Sequence, residues 1–233
     1  MANRIVAGRH SVMEALKVRP DAVSAIYVGE TFDSKKWSGE LSALAKRAQV
    51  SLSPKKESFF NKLSQNAQGV ACEVAEDPSW PDENAESAFI LALDSVEDPH
   101  NLGAILRTAW LMGVDGILMS VKDSAPLTPT ACKVACGGAE HVPIMRVKNI
   151  KNELDDLKEK GFWSYALAVD DTAQDIKEVP KSAKTILIAG AEEKGIKPTL
   201  IKASDFKVYI PQTDPSASLN VSVSVAVGVW TLK

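Results

Sequence analysis

The sequence predicts an α/β protein: a mostly parallel sheet with helices on both faces, preceded by a smaller α/β unit. Three observations predict it. Short apolar runs without polar alternation, such as FILALD (89–94) and TILIAG (185–190), suit strands covered on both sides. Stretches of helical periodicity fall between such runs, the order that favours parallel strands. The segment DPSWPDENAES (77–87), with two prolines, several acids and almost no aliphatic side chains, reads as a linker. The expected division is therefore 1–76, a linker over 77–87, and a larger unit over 88–233.

In the first unit, GRHSVMEALKV (8–18) is helical in pattern, with Val12, Ala15 and Leu16 on one side. AIYVG (25–29) is a strand and SGELSALAKRAQV (38–50) a second amphipathic helix. Pro54 is expected to break the chain, ESFFNKLSQ (57–65) to form a third helix, and GVACEVA (69–75) a closing strand. Basic residues recur near the turns: Arg4, Arg9, Lys35, Lys36, Lys46, Arg47, Lys55 and Lys56. Such charges solvate a surface or contact RNA, and both readings stand.

The larger unit is organised around residues 93–119. Strand 89–94 ends at Asp94, a polar loop follows through Glu97, Asp98, Pro99 and His100, and Asn101 is a suitable N-cap for a helix over 101–112. Leu102, Ile105, Leu106 and Ala109 share one face of it, and Gly113 sits where a C-terminal glycine belongs. Arg107 should lean back over Gly103 and Ala104 toward the positive helix end, a place for a phosphate or a developing oxyanion. A plain surface arginine is the alternative. Further strands are expected at 116–121, 162–169, 185–190 and 206–211, and helices at about 128–137 and 150–160. In ILIAGAEEKGIKP (186–198), a strand ends at Gly190, either for a ligand's close approach or simply for a turn. In 217–231, Leu219, Val221, Val223, Val225, Val227 and Val229 alternate with small residues, a period that by itself predicts a strand.

Composition narrows the function. A net charge of −3 argues against an indiscriminate nucleic-acid binder. Residues 1–77 hold 11 Lys/Arg against 9 Asp/Glu, net +2, and the rest 16 against 21, net −5, so any RNA must be held by a local patch and by shape. Cys72, Cys132 and Cys136 suggest neither a disulfide framework nor a metal set, and no metal is expected. No G-x-G-x-x-G follows a strand, so a nucleotide-like cofactor must be bound another way. With no membrane-length apolar run and no signal-peptide core in MANRIVAGRH, the expected compartment is the cytoplasm.

Three stretches carry a resemblance. DPHNLGAILRTAWLMGVD, IAGAEEKGI and IPQTDPSASLNVSVSVA, in that order over 94–226, resemble the three motifs of the SpoU/TrmH branch of the SPOUT methyltransferases. Residues 1–76 resemble the small ribosomal-protein-like (L30e-like) substrate-binding domain of the 23S ribosomal RNA guanosine-2′-O-methyltransferases in that family. The resemblance implies a SPOUT α/β-knot with a trefoil-knotted chain, and makes 217–231 a C-terminal helix. It implies methylation of a ribose 2′-hydroxyl with S-adenosylmethionine, on ribosomal RNA in preference to tRNA, by a homodimer. The alternatives are a tRNA enzyme of the same family and an inactive RNA-binding module with the same fold.

By position the resemblance makes Gly190, Ile210 and Leu219 cofactor contacts, and Arg107, Asn101, Glu192, Ser218 and Asn220 the catalytic set. A ribose hydroxyl is a poor nucleophile and a sulfonium already an electrophile, so catalysis reduces to in-line positioning and stabilisation of a developing alkoxide. Arginine, with a pKa above about 12, suits the stabiliser's part better than the base's. Asn101, Ser218 and Asn220 would position the groups, and Glu192 would orient Arg107 or the substrate. The sequence departs from the family at Glu193, where a glycine is usual, at Ser224, where alanine is common, and at Ala67-Gln68-Gly69, where ribosomal relatives often carry His-Gln-Gly.

Overall fold

In the computed structural model, residues 3–64, 67–75, 77–168, 172–191, 194–214 and 217–233 are described. The first unit runs β1 (Arg4–Ala7), α1 (Arg9–Val18), β2 (Val23–Gly29), α2 (Ser38–Arg47), β3 (Leu52–Lys55), α3 (Glu57–Leu63) and β4 (Val70–Val74). Its sheet has the order β1-β4-β2-β3, antiparallel except for the parallel β2–β3 pair. Pro54 does not break the chain. It lies within β3, at the sheet edge, where a missing N–H costs no ladder bond.

The larger unit runs β5 (Ala88–Asp94), α4 (Pro99–Leu111), β6 (Gly116–Ser120), α5 (Pro129–Ala135), β7 (Ile144–Val147) and α6 (Ile150–Glu159). It continues through β8 (Trp163–Leu167), β9 (Gln174–Asp175), β10 (Lys184–Gly190), α7 (Pro198–Ala203), β11 (Phe206–Tyr209) and α8 (Val221–Leu232). Its seven strands lie in the order β7-β6-β5-β10-β8-β11-β9, every neighbouring pair parallel. Strand β5, inside the sheet between β6 and β10, is buried throughout. Phe89, Leu91 and Leu93 enter the apolar cluster under α4, α5 and α8, while Ala88, Ile90 and Ala92 enter the cluster under α6 and α7. Two dry faces explain why this strand shows no polar alternation.

Three expectations are corrected. Helix α4 starts at Pro99, and its N-cap is Asp98, whose carboxylate accepts from the His100 N–H at 2.9 Å; Asn101 lies inside the first turn. The alternating valines of 221–229 form helix α8, as the resemblance implies and periodicity alone does not. Val221, Val225, Val229 and Leu232 make its buried stripe, a helical spacing hidden among the other valines. Strands β1, β3, β7 and β9 and helix α7, all short, have no counterpart among the expected elements.

Residues 77–87 form neither helix nor strand, yet they are not a solvated tether. Trp80 packs on Gly116, where an added Cβ would lie 2.8 Å from the ring, and donates its indole N–H to Glu83 at 2.8 Å. The two units also share one apolar cluster, with Val12 and Leu16 joining Leu106 and Cys132. At their joint Arg4 grips Glu140 with two hydrogen bonds, of 2.7 and 3.0 Å, and Arg19 reaches the same carboxylate at 3.3 Å. Burial disfavours the charge on Arg4, but the bond to Glu140 and its charge more than offset that and push the pKa up. Arg4 is therefore a structural residue and leaves the list of RNA-contact candidates.

Candidate active site

The C-terminal ends of β5 and β10 lie side by side, Asp94 in register with Gly190. Beyond β5 the chain passes to β6 on one side of the sheet, while β10 pairs with β8 on the other. Ligands of open parallel sheets settle at such a switch point, outside the strand ends. Three contiguous cavities open there.

The largest, about 450 Å³, is walled by Leu167, Ala168, Gly190, Ala191, Gly195, Ile196, Ser218, Leu219 and Ser224 among others. A second of about 120 Å³ shares Leu167, Ala168, Ser218, Leu219 and Ser224 with it and adds Ile210 and Gln212. The third, about 290 Å³, lies between the loop Ser95–Asp98, Asn101, Ala191 and Lys194. The first two share an apolar floor with a few hydroxyl and amide groups, and Lys194 is the one charged side chain lining them among the described residues. That make-up suits a neutral heterocycle with polar ends.

All three expected cofactor contacts line these cavities. Gly190 and Leu219 wall the largest, and Ile210 and Leu219 the second. Gly190 owes its missing side chain to the turn: an added Cβ would lie 2.1 Å from the Gly195 carbonyl carbon, where the loop folds back through an Ala191–Gly195 bridge. Ser224, a departure from the family pattern, borders both clefts.

The expected catalytic residues divide. Asn101 and Asn220 meet directly, the Asn220 amide donating to Asn101 Oδ1 at 3.0 Å. Asn220 is also the N-cap of α8, its Oδ1 accepting from the Ser222 N–H at 2.9 Å, so one side chain pins the starts of α4 and α8 together. Lys233 closes the far end on the Gly113 carbonyl, so the two helices run side by side in parallel. Helix α4 ends as expected at Gly113, φ +69°, with its N–H on Trp110 and the Val114 N–H on Ala109, a Schellman close. Ser218 borders the same two clefts. Glu192 and Glu193 lie outside the described residues.

Arg107 is not gathered with the others. It is exposed and contacts the Cys136 Sγ at 3.5 Å. Gly103 gives it no corridor, because that glycine faces α5, where a Cβ would lie 2.6 Å from Val134. Cys136, the C-cap of α5 with φ +52°, is half-buried, whereas Cys132 is buried. Among the residues that the sequence reading did not single out, Asp94, Lys197, Ala191 and Gln212 belong to this region. Asp94 stood out only as the end of a strand.

The profile of the SpoU rRNA methylase family matches residues 88–230, and that of the RNA 2′-O ribose methyltransferase substrate-binding domain matches residues 5–80. This chain belongs to the SpoU rRNA methylase family. The 23S rRNA (guanosine-2′-O-)-methyltransferase RlmB of Acinetobacter baylyi is 33% identical to it, over 96% of this chain and 94% of that protein. A Staphylococcus haemolyticus protein assigned to the TrmH family of tRNA/rRNA methyltransferases is 32% identical, over 99% and 95%. Among solved structures, the SpoU methyltransferase AviRb of Streptomyces viridochromogenes, in complex with AdoMet, superposes with a TM-score of 0.81 at 18% identity, over 99% of this chain and 89% of AviRb. The AdoMet-bound rRNA methyltransferase of Sinorhizobium meliloti gives 0.76 at 19%, over 99% and 86%. Those structures share the fold.

Proposed function

We propose that this SpoU-family enzyme methylates a guanosine 2′-hydroxyl in ribosomal RNA, with S-adenosylmethionine as donor. The observation that carries this reading is the convergence of all three motifs at one switch point, with Gly190, Ile210 and Leu219 around two joined clefts and Asn101 bonded to Asn220 beside them. When bound, S-adenosylmethionine supplies an electrophilic methyl group on a sulfonium. The protein's part is to hold the donor between apolar walls, place the ribose at the Asn101–Asn220 junction and stabilise the alkoxide that develops there. The preference for ribosomal RNA rests on the full-length likeness to the RlmB of Acinetobacter baylyi, and the RNA-holding role of residues 1–76 on the substrate-binding profile. Lys35, Lys36, Lys46, Arg47, Lys55 and Lys56 are all exposed on that unit.

A homodimer completes the reading. Leu111 on α4 is 65% exposed and Trp230 on α8 is 80% exposed, large apolar groups near the same ends of two parallel helices. A second copy seated there would cover both and enclose Arg107, which in one chain faces solvent. No helix among the described residues is long and apolar enough to cross a membrane, and we place the enzyme in the cytoplasm with its RNA.

The test is transfer of labelled methyl groups to ribosomal RNA and to tRNA, read as 2′-O-methylated nucleosides after digestion. The reading expects 2′-O-methylguanosine in ribosomal RNA. Label confined to tRNA would move the enzyme to the family's other substrate class, and no label with donor bound would leave an RNA-binding module.

A further inference from the structure

The two loops that frame the clefts leave adjacent strands, and something must fix the gap between them. The first follows Asp94 and the second follows Gly190, its register partner. The Asp94 side chain is only 1% exposed, yet it accepts from three donors: the Ser95 hydroxyl at 3.1 Å, the Lys197 backbone N–H at 2.7 Å and the Lys197 Nζ at 3.0 Å. Lys197 caps α7 and closes the loop begun at Gly190. Between the two ends, Ala191, Lys194, Gly195 and Ile196 wall the largest cleft.

We propose that Asp94 is a positioning residue for the methyl-donor cleft: through Lys197 it holds residues 194–197, bridged to Ala191, against the start of the other loop. The inference rests on reading that cleft as the donor's. A buried carboxylate is stable only with its bonds made, so the loop is the more costly to displace. The bond to the backbone N–H is charge-assisted and dry, and carries most of the hold. The Lys197 side chain is 51% exposed, so its ammonium contributes less. Lys194 and Glu97, 3.5 Å apart and both exposed, add a weaker second tie between the same loops.

The variants Asp94→Ala, Asp94→Asn and Lys197→Met separate these parts. S-adenosylhomocysteine affinity is read by calorimetry, KM for donor and for RNA by transfer, and hydrogen exchange of a peptide spanning 190–200 without cofactor. Asp94→Ala is expected to weaken affinity about tenfold or more, a change of about 1.4 kcal/mol, to speed exchange of the loop and to leave the KM for RNA unchanged. Asp94→Asn, which keeps an oxygen for the N–H, and Lys197→Met should each weaken it about threefold, about 0.7 kcal/mol. A folded Asp94→Ala enzyme that binds within twofold of wild type overturns the proposal. If that variant does not fold, wild-type affinity and wild-type loop exchange in both other variants overturn it instead. If wild-type protein itself binds no S-adenosylhomocysteine, the donor reading falls, and loop exchange in Asp94→Asn alone decides whether the clamp exists.

Discussion

Among the described residues two carboxylates are almost wholly buried, each held by one or more cationic side chains from a distant part of the chain, and they do different work. Glu140 at the joint between the units is gripped by Arg4 and Arg19, whose side chains are only 11% and 13% exposed. Asp94 at the strand ends is held by a backbone N–H and by a lysine open to solvent, beside the clefts. The first arrangement borders a separate cavity of about 680 Å³, walled by Arg19, Asp77, Glu140 and His141 among others, and none of the three clefts at the strand ends. The second has one dry bond and one wet one, and sets a wall of the site. The contrast teaches that burial of a charge does not by itself mark function. Its neighbours' exposure and the cavity it borders tell the two apart.

Replacing Glu140 by Ala tests the first half and should have the largest effect on stability. It takes from Arg4 and Arg19 the buried carboxylate they share, and breaking such a buried pair costs about 3–5 kcal/mol, seen as a lower urea midpoint. Cofactor affinity in the remaining folded protein should hold, and its loss would tie the joint to the site after all. Gly190→Ala tests the second half. Its Cβ meets backbone that must move, costing about 1–3 kcal/mol of stability but abolishing calorimetric binding of S-adenosylhomocysteine. Unchanged binding would show that the loop position is irrelevant to the clefts.

The smallest effect is alkaline. Burial, opposed by Arg4 and aided by Glu140, pushes the Cys132 thiol at the joint up to about 11 from an ordinary 9.0. Between those values the unfolded chain loses the proton while the folded chain keeps it, so stability falls as pH rises through that window. The folded protein should also resist alkylation at Cys132 at neutral pH. Cys132→Ala should flatten part of the alkaline slope in urea titrations, and an unaltered slope would remove this thiol from the account.

Much of the fold was legible because the central strands are short apolar runs, and a strand buried on both faces has no other way to look. The edges were not. Ile144–Val147 and Gln174–Asp175 are brief, and Pro54 in β3 imitates a break. Residues 221–232 misled by period, since valine at every second position satisfies a strand and a helix together, and only the neighbouring elements choose. In the site, the motif residues around the clefts were readable as a set, but their bonds were not. Asn101 and Asn220 are 119 residues apart and Asp94 and Lys197 are 103 apart. The direction of Arg107 depends on where α5 lies, which a helical wheel does not show. Gly103, over which that arginine was expected to lean, instead admits α5.

The role proposed for Arg107 is to stabilise the alkoxide of ribose methylation at the clefts, although it stands apart in a single chain. Single-turnover methyl transfer to ribosomal RNA by Arg107→Ala, beside calorimetry of donor binding, tests it most directly. The account predicts a rate about 10²–10³-fold below wild type, the usual loss for one oxyanion donor, with donor affinity unchanged. Full transfer at normal affinity would contradict it.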